Sequence, residues 1–340
     1  MKTTRQNTGI WLKDAEKTHN SGRALANTIY NIPVTILISG ELGCGKTTFL
    51  NGFSEALGIL EHLPSPTFSL ENHHETANGM PFLHIDLYRL TGPEADAFVQ
   101  QTADFEGFRC IEWAQHLSAP LSDPSINIDI SDTYKRHGHR LAISFKDIPL
   151  PSIEQIVDWR AEMALPDHIA AHCDAVAQYA VELGTRLMED GKIVRLDALE
   201  VAGKLHDLLR FIDFIPGTAH ANKEHHEEPE VWERIRSQYK EMRHEPACAE
   251  FLRDKGLSGL ADIVAYHGVR LPPTKDQTIE QQLLYYADKR TNFDTIVTLD
   301  ERFADFAKRY KGTKFIGDAD IWYGEAREIE KQLFGGEPVA

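Results

Sequence analysis

Read from its amino terminus, the chain alternates short apolar runs with stretches of helical periodicity. VTILISG (34–40) has the near-continuous hydrophobicity of a strand buried on both faces, and TTFLNGFSEALGIL (47–60) spaces its apolar residues three and four apart, as a helix does. PFLHIDLYRL (81–90), FRCIEW (108–113), SINIDI (125–130) and HRLAISF (139–145) read as further strands. Strands alternating with helices predict a sheet with helices packed on it. IPLPS (148–152) breaks the pattern, because its two prolines favour an extended link. Beyond it the β-pattern disappears. DHIAAHCDAVAQYAVELGTRLMED, DALEVAGKLHDLLRF, EPEVWERIRSQYKEM and TIEQQLLYYADKRTNFDTIVTL all carry helical spacing. The expected layout is an α/β domain over 1–147, a linker and lead-in over 148–163 and an all-helical domain over 164–340. GTAHANKEHHEE (217–228) is the best candidate for a mobile loop.

Composition narrows the options. At 340 residues, with 42% hydrophobic and 26% charged positions, the chain is long enough for about two domains and apolar enough to bury their cores. No window holds the roughly 18 apolar residues of a membrane span, and the first residues lack the apolar core of a secretory signal. Cys44, Cys110, Cys173 and Cys248 are scattered without a C-x-x-C pair, which fits a reducing cytoplasm better than a disulfide framework. The net charge is −16, with 12 basic and 17 acidic side chains in residues 1–150 and 24 and 35 in the remainder. Such a body repels phosphate backbones, so direct nucleic-acid binding is a poor first expectation. A small anionic substrate remains open where a cation mediates its binding.

The first half contains G-x-x-x-x-G-K-T, from Gly40 to Thr47, after an apolar strand and before a helix. Gly40, Gly43, Cys44 and Gly45 let backbone N–H groups turn inward around phosphate oxygens, and Thr48 continues into the helix whose N-terminal end is positive. Lys46 can bridge the outer phosphates, and the Thr47 hydroxyl can ligate Mg²⁺. Two carboxylates end apolar strands and could serve the cation or an attacking water, namely Asp86 and Glu112.

With ELGCGKTTFLNGFSEALGI, SPTFSL (65–70), HIDLYR (84–89) and IEW (111–113) in that order, the sequence resembles TsaE, the bacterial ATPase family of tRNA threonylcarbamoyladenosine synthesis. KDAEKTHNSGRALA fits the family's opening helix and GHRLAISF its closing strand, so the likeness spans about 8–147. The resemblance implies ATP in the 40–48 loop, Mg²⁺ held by Thr47 and Glu112, and Asp86 as a further acid needed for hydrolysis. It implies Thr67 near the γ-phosphate, and Trp113 either near the nucleotide or as a structural prop. It also implies TsaD and TsaB as protein partners, with tRNA reached only indirectly. Cys44 stands where the family usually has alanine, and HHE (73–75) where an aromatic is usual.

In the second half, histidines and aspartates sit at places that suggest metal ligation. His206 and Asp207 are adjacent within apolar AGKLHDLLRF, His172 lies on an earlier amphipathic helix and Asp288 on a later one, LLYYADKR. Charged pairs on buried helices need compensation, and a divalent cation supplies it. His244 opens RHEPACAEFL and His267 closes GLADIVAYHG. The mixed N/O set suits Mn²⁺, Fe²⁺, Mg²⁺ or Zn²⁺, and six such groups can hold two ions that clamp a phosphoryl group and acidify water. His220, His225 and His226 read as solvent-facing.

On PDHIAAHCDAV, KLHDLLRF, RHEPACAEFLRDKGL, IVAYHG and YYADKRTNFDTIVTLDERFADFAKRY, this half resembles the HD-domain metal-dependent phosphohydrolases over about 164–312. The superfamily hydrolyses nucleotides and other phosphate esters, while some members only bind or regulate. The resemblance implies His172, His206, Asp207 and Asp288 at a metal centre, with His244 and His267 for a second ion and Asp207 catalytic. His267 is followed by Gly268 where many two-metal members have paired histidines. Lys289 and Arg290 could neutralise a phosphate, or could be surface cations beside Asp294 and Asp300.

The expected molecule is a two-domain cytoplasmic chain, an α/β P-loop NTPase domain followed by an all-α HD domain. Its expected activities are Mg-ATP hydrolysis and metal-dependent hydrolysis of a small phosphate-containing substrate. The alternatives are a second half that binds metal and nucleotide as a sensor without turnover, and a first half that acts as a small-molecule kinase.

Overall fold

The structure is a computed structural model, described here over residues 9–121, 124–133, 137–214, 229–268, 277–309 and 316–336. The chain divides into two compact units. One holds the residues up to Ile148 together with Thr185–Val194, and the other holds Pro149–Gly184 and the residues from Arg195 onward.

The first unit is a seven-stranded sheet of β1 (Ile10–Leu12), β2 (Val34–Gly40), β3 (Glu71–Glu75), β4 (Pro81–Asp86), β5 (Phe108–Glu112), β6 (Ser125–Asp132) and β7 (His139–Phe145). The spatial order is β1-β7-β6-β2-β5-β4-β3. The most apolar run, β2, lies at the centre, parallel to both β5 and β6, and β4 runs parallel to β5. That is where a run buried on both faces belongs. β1, β3 and β7 add antiparallel pairs at the flanks. The register sets Asp86 beside Glu112 and Glu112 beside Ile38, so the carboxylates end adjacent strands at the edge where β2 releases its phosphate-binding turn. Helices α1 (Ala15–Ala26), α2 (Lys46–Ala56) and α3 (Pro93–Gln100) complete the unit.

Two strands were not legible in the sequence. β1 is only three residues long, and β3 (ENHHE) has no apolar alternation; its pairing comes from backbone bonding to β4 at a sheet edge. The strand expected over 81–90 stops at Asp86, whose Oδ1 accepts from the Tyr88 amide, and the Leu90 N–H then donates to the Leu87 carbonyl to close a turn. The helix expected over 47–60 stops at Ala56, just before Gly58 at φ +83°.

The second unit is helical. It contains α4 (Ile153–Glu162), α5 (Asp167–Glu189, whose last residues fall to the first unit), α6 (Leu196–Leu205), α7 (Glu230–Gln238), α8 (His244–Asp254), α9 (Ser258–Ala265), α10 (Ile279–Arg290), α11 (Leu299–Arg309) and α12 (Ile316–Phe334). The expected linker over 148–163 is extended only to Ser152, which opens α4 with a capping box to Gln155. The expectation of an all-helical half needs one amendment. β8 (Thr291–Asn292) and β9 (Thr295–Ile296) form a minimal antiparallel ladder after α10. No helix among the described residues is long and apolar enough to cross a membrane.

Candidate active sites

The turn after β2 is shaped by backbone that side chains resist. Gly40 has φ +146°, and a Cβ there would lie 2.3 Å from the Ile130 carbonyl oxygen. Gly43 and Gly45 are also left-handed, at +82° and +99°. Gly45 precedes α2 without offering a side-chain cap, so the first amides of an eleven-residue helix remain for an anion. Cys44 is buried in this turn, and burial pushes its thiol pKa up, so it is a small neutral filler. Lys46 Nζ donates to the carbonyls of Gly40 and Glu41, both at 2.8 Å, and lies 3.7 Å from the centre of the Trp113 ring. Trp113 itself takes a left-handed backbone, φ +62°.

Below this cradle, Thr47 donates from Oγ1 to Glu112 Oε2 at 3.0 Å. The other oxygen, Glu112 Oε1, lies 3.0 Å from His84 Nε2 within a fully buried pair. Asp86 has different neighbours: its Oδ2 accepts from Ser65 and Thr67 at 2.5 and 2.7 Å, and its Oδ1 accepts from the Tyr88 amide. Thr48 lines, with Thr47, His19, Asn51, Glu55 and His62, a cavity of about 610 Å³, within the range of small-molecule pockets. His84, Ser65 and Gln115, which exchanges two hydrogen bonds with the Gly40 backbone, were missed in the sequence. One signal was available. His84 is two residues before Asp86 on the same strand, hence on the same face.

Among the described residues, the second unit gathers three sets of donor atoms, each within 4.8 Å of one another: His172, His206 and Asp288; Asp207, His244 and His267; and Asp213, His244 and Glu245, which meet on the Nδ1 side of His244. His172 comes from α5, His206 and Asp207 from the turn ending α6, and His244 from the first position of α8. His267 lies two residues past α9, and Asp288 sits in the last turn of α10. α6 stops at Leu205, but His206 keeps helical backbone angles, φ −58° and ψ −35°, so its side chain still leaves in a helical direction. Asp207 faces the first two sets. Its Oδ2 is 3.8 Å from His206 Nε2, and its Oδ1 is 2.9 Å from His244 Nε2 and 3.6 Å from His267 Nε2. Asp288 Oδ1 lies 3.1 Å from His172 Nε2 and 3.9 Å from His206 Nε2.

The separations of 2.9, 3.1 and 3.6 Å are near the roughly 3–3.5 Å between adjacent ligands of one ion at about 2.1 Å, and the two from His206 Nε2, at 3.8 and 3.9 Å, would have to close by a few tenths of an ångström. An unsatisfied atom supports the fit. His206 Nε2 is fully buried and has no hydrogen-bond partner, while its Nδ1 is committed to the Gly203 carbonyl at 2.8 Å. Burial drives the His206 pKa down to about 3, so a neutral ring offers a lone pair between two carboxylates. For Asp207, burial acts to raise the pKa, but His206, Arg210 and His244 outweigh it and hold the group well below its usual range. Asp288 is likewise held down, against burial, by Lys289, His172 and His206.

Lys289 and Arg290 are not surface cations, since both are buried. Lys289 pairs with Asp288 and donates to the His267 carbonyl, and Arg290 turns to Tyr286, Val297 and Glu330. The cation beside Asp207 is Arg210, 4.0 Å away, which the sequence reading missed together with Asp213 and Glu245. His220, His225 and His226, with the loop expected over 217–228, lie outside the described residues.

Fold and sites together define a P-loop α/β domain followed by a helical HD-type domain. The family model for Threonylcarbamoyl adenosine biosynthesis protein TsaE matches residues 12–140, and that for the HD domain matches residues 169–292. Proteins described as tRNA threonylcarbamoyladenosine biosynthesis protein TsaE are among the relatives. The one from Nostoc sp. is 37% identical over 145 residues, covering 41% of this chain and 86% of its own length. That from Aquifex aeolicus is 34% identical over 129 residues, covering 37% and 90%, and that from Bacillus subtilis is 33% identical over 95 residues, covering 28% and 60%. The chain belongs to the TsaE family, and carries an HD domain after its TsaE domain.

Proposed function

We infer that the chain is bifunctional and cytoplasmic. Its first half hydrolyses Mg-ATP in support of N6-threonylcarbamoyladenosine synthesis at tRNA position 37, with TsaD and TsaB as partners. Its second half hydrolyses a small phosphate ester or nucleotide. The contact of Thr47 Oγ1 with Glu112 Oε2 under the glycine turn carries the first reading. The turn's amides and Lys46 would bind the β- and γ-phosphates, with Lys46 leaving its carbonyl partners to do so. Thr47 and Glu112 would hold Mg²⁺, which when bound neutralises charge developing on the phosphates. Asp86, with Thr67 and Ser65 on one oxygen, is poised to orient a water. The name shared by the relatives supports the pathway, and the partners follow from the family resemblance.

ATP turnover by the full chain should rise on adding TsaD–TsaB and vanish in Lys46→Ala. A phosphorylated small acceptor would instead make the first half a kinase.

Asp207, with an oxygen toward each of the first two donor sets, carries the second reading. His172, His206 and Asp288 would hold one divalent ion, and His244 and His267 a second, with Asp207 between them. Mn²⁺, Fe²⁺ or Zn²⁺ all suit the donors, and such a pair, when bound, polarises a phosphoryl group and lowers the pKa of water. Arg210 is the side chain placed to meet the remaining phosphate charge. The test is phosphate release from a nucleotide panel with Mn²⁺, in a Lys46→Ala chain that silences the ATPase. Turnover abolished by Asp207→Ala supports hydrolysis, whereas tight binding without product makes this half a sensor.

A further inference from the structure

Four histidines converge on the second site, and three are anchored in one way. His172 Nδ1 is bonded to the Phe293 carbonyl at 2.7 Å, His206 Nδ1 to that of Gly203 at 2.8 Å and His267 Nδ1 to that of Val264 at 2.5 Å. Each neutral amide acceptor fixes a ring with its Nε2 lone pair turned inward. His244 differs. Its Nδ1 meets Asp213 Oδ2 at 2.7 Å, with Glu245 Oε2 at 3.2 Å, and its own backbone amide points to Asp213 Oδ1 at 3.4 Å. Asp213 therefore holds His244 by ring and by main chain at the first position of α8. Arg243 Nη2, 3.3 Å from Asp213 Oδ2, steadies the carboxylate in turn.

The position of Asp213 in the chain adds to the argument. It closes the short 3₁₀ segment Arg210–Asp213, which begins three residues after Asp207. One continuous stretch thus supplies the His-Asp pair, the Arg210 cation and the support of a histidine 31 residues later. A carboxylate behind an imidazole fixes its tautomer and raises its basicity toward a cation more than a carbonyl does.

We propose that Asp213 is a positioning residue that sets the cation affinity of the Asp207/His244/His267 half of the site, and that the two halves consequently differ in affinity. This rests on the two-cation reading given above. The Asp213 carboxylate orients His244 so that Nε2 faces Asp207 Oδ1 at 2.9 Å and His267 Nε2 at 3.4 Å. Arg210 Nη1, at 2.9 Å from the same Nε2 and 3.1 Å from Nδ1, would have to withdraw for Nε2 to bind a cation. The other half, anchored on carbonyls, is independent of Asp213.

Mn²⁺ titration calorimetry on the full chain, with metal content after dialysis, tests this in the wild type, Asp213→Ala, Asp213→Asn and His244→Ala. Two ions should bind the wild type apart from any at Thr47 and Glu112, which a Glu112→Gln background removes from the count. Asp213→Ala should weaken one of them by about 10–100-fold and spare the other. Asp213→Asn keeps an acceptor without the charge and should give an intermediate loss at that same ion, the one His244→Ala removes. Wild-type affinity for both ions in both Asp213 variants overturns the proposal, as does equal weakening of both ions, the sign of a merely structural role. A chain that in that background binds no Mn²⁺, or only one ion, overturns the two-cation reading and this proposal with it. Should Asp213→Ala not fold, Asp213→Asn decides alone.

Discussion

Gly203→Ala tests whether close helix packing aims the metal-binding histidines. Gly203 is buried in the last turn of α6, and its carbonyl anchors His206. A Cβ at this position would lie 2.5 Å from Ala177 Cα, 2.8 Å from its Cβ and 2.9 Å from its N, all on α5. Close-packed interiors tolerate little overlap, so α5 and α6 would have to part by roughly 1 Å. Two effects compete. Alanine improves helix propensity by about 1 kcal/mol over glycine. Overpacking costs about 1–3 kcal/mol, toward the upper end here because backbone atoms cannot rotate aside as a side chain can. The expected result is a net loss of about 1–2 kcal/mol, read as a lower urea midpoint at unchanged slope in chelator. The same separation moves His172, on α5, away from His206, whose ring centre lies 5.4 Å from it. Mn²⁺ affinity at the His172/His206/Asp288 set should fall by about 10-fold. A Gly203→Ala chain as stable as the wild type, with unaltered Mn²⁺ binding, would refute the packing argument.

Three further outcomes are expected. His206, whose pKa burial lowers to about 3, stays neutral in the native chain but protonates near 6.5 when unfolded. Its stabilisation is therefore complete above about pH 6.5 and is lost as pH falls toward 3, at up to about 1.4 kcal/mol per unit. In chelator, the wild type should lose about 2 kcal/mol more than His206→Gln between about pH 7 and 5; parallel losses in urea melts would count against it. Gly40→Ala places a Cβ 2.3 Å from the Ile130 carbonyl oxygen at φ +146°, so binding of a fluorescent ATP analogue should fall at least about tenfold, and unchanged affinity would contradict the cradle geometry. Glu112→Gln keeps a partner for His84 but removes the charge facing Thr47, so ATP turnover should drop about 100-fold while Mg²⁺-free nucleotide binding holds, as a fluorescence titration would show.

Much of this molecule is readable in its sequence wherever the signal is local. The strand–turn–helix around Gly40–Thr47 is one continuous stretch, its glycines demanded by backbone angles and its apolar residues by burial. The helical second half was legible because apolar spacing of three and four is a property of neighbours in sequence. Even His206 and Asp207 stood out, as charges among leucines. Tertiary structure alone decided how the distant groups meet. Asp86 and Glu112 both end apolar strands, yet the pairing of β4, β5 and β2 directs Glu112 to Thr47 and leaves Asp86 to Ser65 and Thr67. His172 and Asp288 lie 116 residues apart, and no periodicity within either helix encodes their 3.1 Å approach. Lys289 and Arg290, adjacent in sequence, diverge to Asp288 and Glu330 because successive helical residues point about 100° apart. Asp213 carried no pattern at all, since its contact with His244 arises only where the short helix after Asp207 folds against the start of α8. Local chemistry follows from local sequence; the aim of each side chain follows from packing between segments far apart along the chain.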